Sequence, residues 1–269
     1  MTTSALTGVG DLLRAWRQRR RLTQLDLANA SRVSTRHLSY IETGRARPTP
    51  TMILGLAEQL DVPLRERNRM LLAAGHAPAY AEHELSSAPL AAVCAAITAL
   101  LRGHEPFPAV VLDRAWDLVD ANDAARLLMA GAAPHLLEPP VNLMRLSLHP
   151  DGMAPRIRNF GPWRGHLLHR LERQVAAAGD PELEALFEEC HGYPGPESGG
   201  HDVSALFVPL VYDSPVGVLS LFGTTTVFGS PHEVTTSEIA IESFYPSDAE
   251  SADRLRAAAQ VDFLAAGAR

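Results

Sequence analysis

The chain has 269 residues, 46 % of them hydrophobic and 20 % charged, with a formal net charge of −7. That is enough apolar material for two buried cores and excludes a wholly disordered chain. No apolar run approaches the ~18 residues of a membrane span, residues 1–10 lack a signal-peptide pattern, and two cysteines make neither a disulfide framework nor a four-cysteine zinc site, so a cytoplasmic, membrane-free protein is expected.

Residues 1–10 read as a disordered arm and 11–75 as five short helices. Leu12, Leu13 and Trp16 share one face of the first, with Trp16 in the core. Thr23 is placed to cap the second, with Asp26 three residues on, near the positive end of the helix dipole. Ser34 caps the third, and Gly44 stops it. Thr49-Pro50 opens the fourth, in which Ile53, Leu56, Ala57 and Leu60 recur at helical spacing. The fifth begins at Pro63, carries Leu64, Leu71 and Leu72, and ends at Gly75. Residues 76–89, with two prolines, two serines and no periodicity, read as a linker.

The second domain spans 90–260. Its first helix, Leu90–Arg102, carries an apolar stripe of Leu90, Val93, Cys94, Ile97, Leu100 and Leu101, with Cys94 a packed thiol and Gly103 closing the helix. Ala109–Asp113 and Trp116–Asp120 read as strands around a tight turn at Asp113-Arg114. Helices are expected near Asp123–Met129, Trp163–Ala178 and Pro181–Cys190, followed by a Gly- and Pro-rich loop at 191–202. Ala205–Tyr212, Gly217–Phe228 and Glu233–Tyr245 then read as strands, and Ser247–Gln260 as a last helix. Glu238 and Glu242, four apart in the third of these strands, read as one solvated face. The order describes a multidomain chain: an all-α domain followed by an α+β domain with one mixed or antiparallel sheet.

Charge is unevenly spread. Through residue 80, twelve arginines face six carboxylates; the remainder holds twelve basic and twenty-five acidic residues, and every basic residue is arginine. A basic first third on an acidic body is the footprint of a nucleic-acid-binding module. Ala28 is a small residue where two helices would cross, and Val33, Leu38 and Ile41 follow it at +5, +10 and +13. The stretch TQLDLANASRVSTRHLSYIETGRARPT resembles the helix-turn-helix domain of the Cro/C1 repressor family. One departure is Arg32, where that family usually has Gly; positive φ there costs about 1 kcal/mol, and a differently shaped turn is the alternative.

Thr35, Arg36 and Ser39, at the start of the third helix, would point at base edges of double-stranded DNA. Arg36 suits guanine O6 and N7, and the Thr35 methyl suits thymine. The resemblance sets Gln24 on a phosphate, and Ser34 joins the same interface. Arg45 and Arg47 would grip the backbone. Tyr40 either packs or touches phosphate. The run from Arg17 to Arg21 is either surface solubility or a second phosphate grip.

DVPLRERNRMLLAAGHAPAY (61–80), VLDRAWDLVDANDAA, NLMRLSLHPDG (142–152) and FGSPHEVTTSEIAIESFYPSD (228–248) extend the likeness. Over about residues 11–250 the chain resembles the MmyB-like transcription regulators. The resemblance implies a five-helix Cro/C1-type domain followed by a PAS-like ligand-binding domain. It implies a one-component sensor of a small apolar, fatty-acid-like ligand, without cofactor. A homodimer is expected, because paired heads match half-sites about 34 Å apart.

Pockets in such domains are apolar with a few placed polar groups. Lining candidates are Trp116, Leu118, Phe160, Trp163 and Leu167, with Phe207, Leu219 and Phe222 from the strands. Asn122, Asn159, Arg164 and His166 are candidate polar anchors, although Arg164 taken alone suits a helix surface. Hydrolase, P-loop, dinucleotide and zincin motifs are missing, so no catalytic residues are expected. Glu188, Glu189, Cys190, His191 and His201 cluster without paired ligand spacing, and His166 with His169 is a weak pair, so no metal is expected. The alternative is a DNA-binding regulator whose second domain only dimerises or recruits a partner.

Overall fold

The computed structural model describes residues 8–196 and 207–260. The chain opens with α1 (Val9–Arg19), α2 (Gln24–Ser31), α3 (Thr35–Glu42), α4 (Pro50–Gln59) and α5 (Leu64–Ala73). There follow α6 (Ala91–His104), β1 (Ala109–Leu112), β2 (Leu118–Ala121), α7 (Arg126–Met129), α8 (Leu143–Leu148), α9 (Phe160–Ala178) and α10 (Pro181–His191). The chain continues through β3 (Leu210–Ser214), β4 (Gly217–Val227), α11 (Val234–Glu238), β5 (Ala240–Pro246) and α12 (Ala249–Gln260). These elements form two compact units. One reaches to His83 and includes Ala176–Ala178 and Pro231–Ser237; the other holds Glu84–Val175, Gly179–Ser230 and the chain from Glu238 onward.

In the first unit the helix starts follow their capping residues. Thr23 and Asp26 form a reciprocal capping box on α2. The Ser34 hydroxyl accepts from His37 N–H, and Thr49 accepts from Met52 N–H with Pro50 in the first turn of α4. Leu13, Trp16, Leu27, Leu38, Ile53 and Leu56 form the core. Arg32 adopts the left-handed conformation (φ 55°, ψ 33°), so the turn before α3 keeps that geometry with arginine in it. Two expectations change. Helix α1 already begins at Val9, which shortens the expected arm, whose residues 1–7 lie outside the described ones. The expected linker begins as an anchored segment. Asn68 accepts from the N–H groups of Ala79 and Tyr80 and donates to Tyr80 O, which pins it to α5. Glu233 then accepts from His83 N–H, and Thr235 donates to His83 O.

The second unit is built on an antiparallel sheet of order β2-β1-β5-β4-β3. Alternation along the strands divides its faces. Ala109, Val111 and Ile241 cluster with Ile97 and Leu101 of α6. Val110 opposite Glu242, Gly223 opposite Phe244 and Thr225 opposite Glu242 belong to the other face. Helix α6 is longer than expected, running through Gly103 to His104, and its buried stripe is narrower: Leu100 is 48 % exposed. Cys94 is half-buried and donates to Leu85 O.

The segment 233–245 is not one strand. Glu233 accepts from Thr236 N–H and Oγ1, which turns Val234–Glu238 into α11 and delays β5 to Ala240. Glu238 and Glu242 therefore share no strand face, and Glu242 is buried. Ala205 and Leu206, the start of the expected strand 205–212, lie outside the described residues, and β3 opens at Leu210. Helix α8 was not expected; the Asn142 side chain starts it by accepting from Met144 and Arg145 N–H.

Candidate functional site

In the first unit, α3 buries Leu38, Ile41 and Glu42, which leaves Arg36 and Tyr40 on its other side and Thr35 and Ser39, both part-exposed, at the flanks. Arg36 is exposed; its Nε donates to Tyr40 Oη at 3.1 Å and its guanidinium lies 5.4 Å from the centre of that ring. Tyr40 thus supports Arg36. Arg45 and Arg47 are exposed just beyond the helix.

Gln24 has an internal partner: its Nε2 donates to Glu42 Oε2 at 2.8 Å. Glu42 also takes a two-pronged bond from Arg17, Nε to Oε1 at 2.7 Å and Nη2 to Oε2 at 2.9 Å. Burial pushes the Glu42 carboxyl up, but hydrogen bonds from Arg17 and Gln24 outweigh it and hold the pKa below its ordinary value. Arg17 is therefore neither a solubility residue nor a phosphate grip. Arg20 is likewise committed, donating to the carbonyls of Leu60 and Asp61, and Arg19 lies over the Trp16 ring.

The second unit encloses a cavity of about 730 Å³ with a mainly apolar wall, a size suited to a small ligand. Trp116, Asn159, Trp163, His166, Leu167 and Phe207 all reach that wall. The Asn159 amide is already used, donating to Pro209 O and accepting from Val211 N–H. Trp116 sits at φ +68°, in a turn braced by Asp113 Oδ1, which accepts from the N–H groups of Ala115 and Asp117.

Leu118, Asn122, Phe160, Arg164, Leu219 and Phe222 lie outside the wall. Asn122 is a structural clamp, accepting from Ala109 and Ala125 N–H and donating to Phe107 O. Arg164 is buried, not on a helix surface, and donates to His191 O, a free carbonyl at the end of α10. Phe222 falls on the opposite register from Gly223 and stacks on Tyr245 at 5.4 Å.

The polar group in the wall that sequence reasoning missed is Arg170 with Glu242. Arg170 Nη2 meets Glu242 Oε1 at 2.6 Å, Thr225 Oγ1 donates to the same oxygen at 2.8 Å, and the guanidinium lies 4.9 Å from the Trp116 ring centre. Trp116 Nε1 in turn donates to Gln174 Oε1. The available signal was helical spacing: Trp163, Leu167, Arg170 and Gln174 recur at +4, +3 and +4, which puts them on one face of α9.

Two family models cover most of the chain. A helix-turn-helix domain matches residues 9–70, and the MmyB-like transcription regulator ligand binding domain matches residues 93–258. No curated protein matches the chain. With a DNA-binding head and a ligand-binding domain both accounted for, the chain belongs to the MmyB-like transcription regulators.

Proposed function

We propose that this regulator is a one-component sensor whose second unit holds a small apolar, fatty-acid-like molecule and whose first unit reads DNA as one half of a homodimer. The observation that carries the ligand reading is the cavity of about 730 Å³, walled by Trp116, Trp163, Leu167 and Phe207, with charge confined to a few polar groups. His166 and Asn159 belong to that wall, and Arg170 with Glu242 makes its ion-paired end. For DNA, Arg36, Thr35 and Ser39 read base edges and Tyr40 steadies Arg36, while Ser34, Arg45, Arg47 and the Gln24 N–H left over from its bond to Glu42 fix the register on phosphate. Ligand acts by binding one conformational state better than another, since only differential affinity moves such an equilibrium.

Native mass spectrometry of gently purified full-length protein tests the reading. A recurrent extra mass of a few hundred daltons that leaves on denaturation is the expected result. A bare mass from every expression host, with no thermal shift across a panel of fatty acids, supports a purely dimerising second unit instead.

A further inference from the structure

A second cluster of chemistry-bearing side chains lies in the NLMRLSLHPDG segment and opposite it. His135, His149 and Asp151 each offer one nitrogen or oxygen within 4.8 Å of the other two. The segments that carry them are tied by backbone. His149 caps the end of α8, and Gly152 N–H returns to His149 O at 2.9 Å while Met153 N–H returns to Leu146 O at 2.8 Å. A Cβ on Gly152 would lie 2.2 Å from Leu146 O, so only glycine permits a turn this tight. That turn sets Asp151 beside His149, with Nδ1 to Oδ2 at 3.9 Å. Ala133 N–H donates to Asp151 O at 2.9 Å and brings in the turn Pro134–Leu136 that bears His135. Tyr193 packs edge-on against His149, with ring centres 5.0 Å apart.

We propose that His135, His149 and Asp151 bind a divalent transition-metal cation of the zinc type. Two imidazoles and one carboxylate form a borderline donor set, which suits Zn²⁺, Ni²⁺ or Cu²⁺ and not the oxygen-seeking Mg²⁺ or Ca²⁺. His149 Nδ1 accepts from Asp151 N–H at 3.0 Å, so its lone pair is engaged within the turn. Metal binding through Nδ1 has the imidazole swing off that N–H, which the exposed turn leaves to water. Ligands of a tetrahedral zinc stand ~3.4 Å apart, a contraction that the exposed side chains of His135 and Asp151 supply by rotation. Water completes the sphere. The neighbouring Arg145 is ion-paired to Glu189 at 2.8 Å, which offsets its repulsion of a dication.

The test uses untagged full-length protein stripped with chelator and titrated calorimetrically with Zn²⁺, and by visible absorption with Co²⁺. One Zn²⁺ per chain is expected, with the Kd at least tenfold higher in His135→Gln and in Asp151→Asn and unchanged in the surface control His232→Gln. Tetrahedral Co²⁺ bands should vanish in His135→Gln, while circular dichroism shows that both variants remain folded. Undetectable Zn²⁺ binding, or equal affinity in wild type, His135→Gln and Asp151→Asn, overturns the assignment.

Discussion

Glu42 shows how one buried charge organises the DNA-binding unit. Its side chain is fully buried and takes hydrogen bonds from Arg17 and Gln24, with Arg14 at 3.7 Å. Removing its charge strands Arg17, which itself is only 9 % exposed. Glu42→Gln is expected to destabilise the unit by about 3 kcal/mol, read as a fall in the denaturation midpoint. The pH dependence has a defined sign. The folded pKa lies below 4.5, so the ionised group stabilises the unit above that value, and the contribution is lost as pH falls through the lower folded pKa. Wild type should therefore lose more Tm than Glu42→Gln on acidification past 4.5.

The two kinds of arginine proposed to meet DNA separate at the same scale. Arg36→Ala is expected to cost about 1–3 kcal/mol on the preferred operator and to relax one base position. Arg47→Ala should weaken all sequences alike and flatten the salt slope by about one unit. Binding isotherms on operator and scrambled duplexes at several salt concentrations distinguish the two outcomes. These exposed arginines were legible because a helix-turn-helix motif fixes their positions. The internal partner of Gln24 was not, because Glu42 is eighteen residues away and only the folded helices bring the two together.

Among the elements, local chemistry was most readable where one side chain decides a boundary. Thr23, Ser34 and Thr49 all start helices as their residue types require. The failure at 233–245 has an equally local cause: Thr, Val and Ile favour strand, but Glu233 Oε2 accepts from both the N–H and the Oγ1 of Thr236 and wins over that preference. On α9 the sequence offered three arginines, and only their helical spacing relative to Trp163 and Leu167 ranks them. Arg164 serves the end of α10, and Arg170, six residues on, faces the cavity. At the turn before α3, Arg32 carries left-handed strain at φ 55°. Arg32→Gly should relieve it and raise stability by about 0.5–1 kcal/mol net of the added chain entropy. A higher Tm with DNA affinity within twofold is the expected result.

For the molecule as a whole, the uneven charge pointed to a DNA-binding module on a second domain, and the two family matches bear out that order of a helix-turn-helix domain and a ligand-binding domain. The cavity was not, because an apolar residue in a wall and one in a core have the same sequence signature. Its reality is testable at Gly223, on the cavity face of β4 opposite Phe244. A Cβ there meets only Phe244, at 3.7 Å. Gly223→Val should keep or raise the apo Tm, because a strand interior disfavours glycine, yet weaken acyl-chain ligands at least tenfold in a titration.

Because Glu233 and Thr235 hold the backbone of His83, the compact DNA-binding unit is not encoded by one uninterrupted stretch of gene. An amino-terminal fragment cut after that histidine would carry every residue proposed to read the groove and still lack part of its own scaffold. Such a truncation should melt earlier than the same helices do in the intact polypeptide.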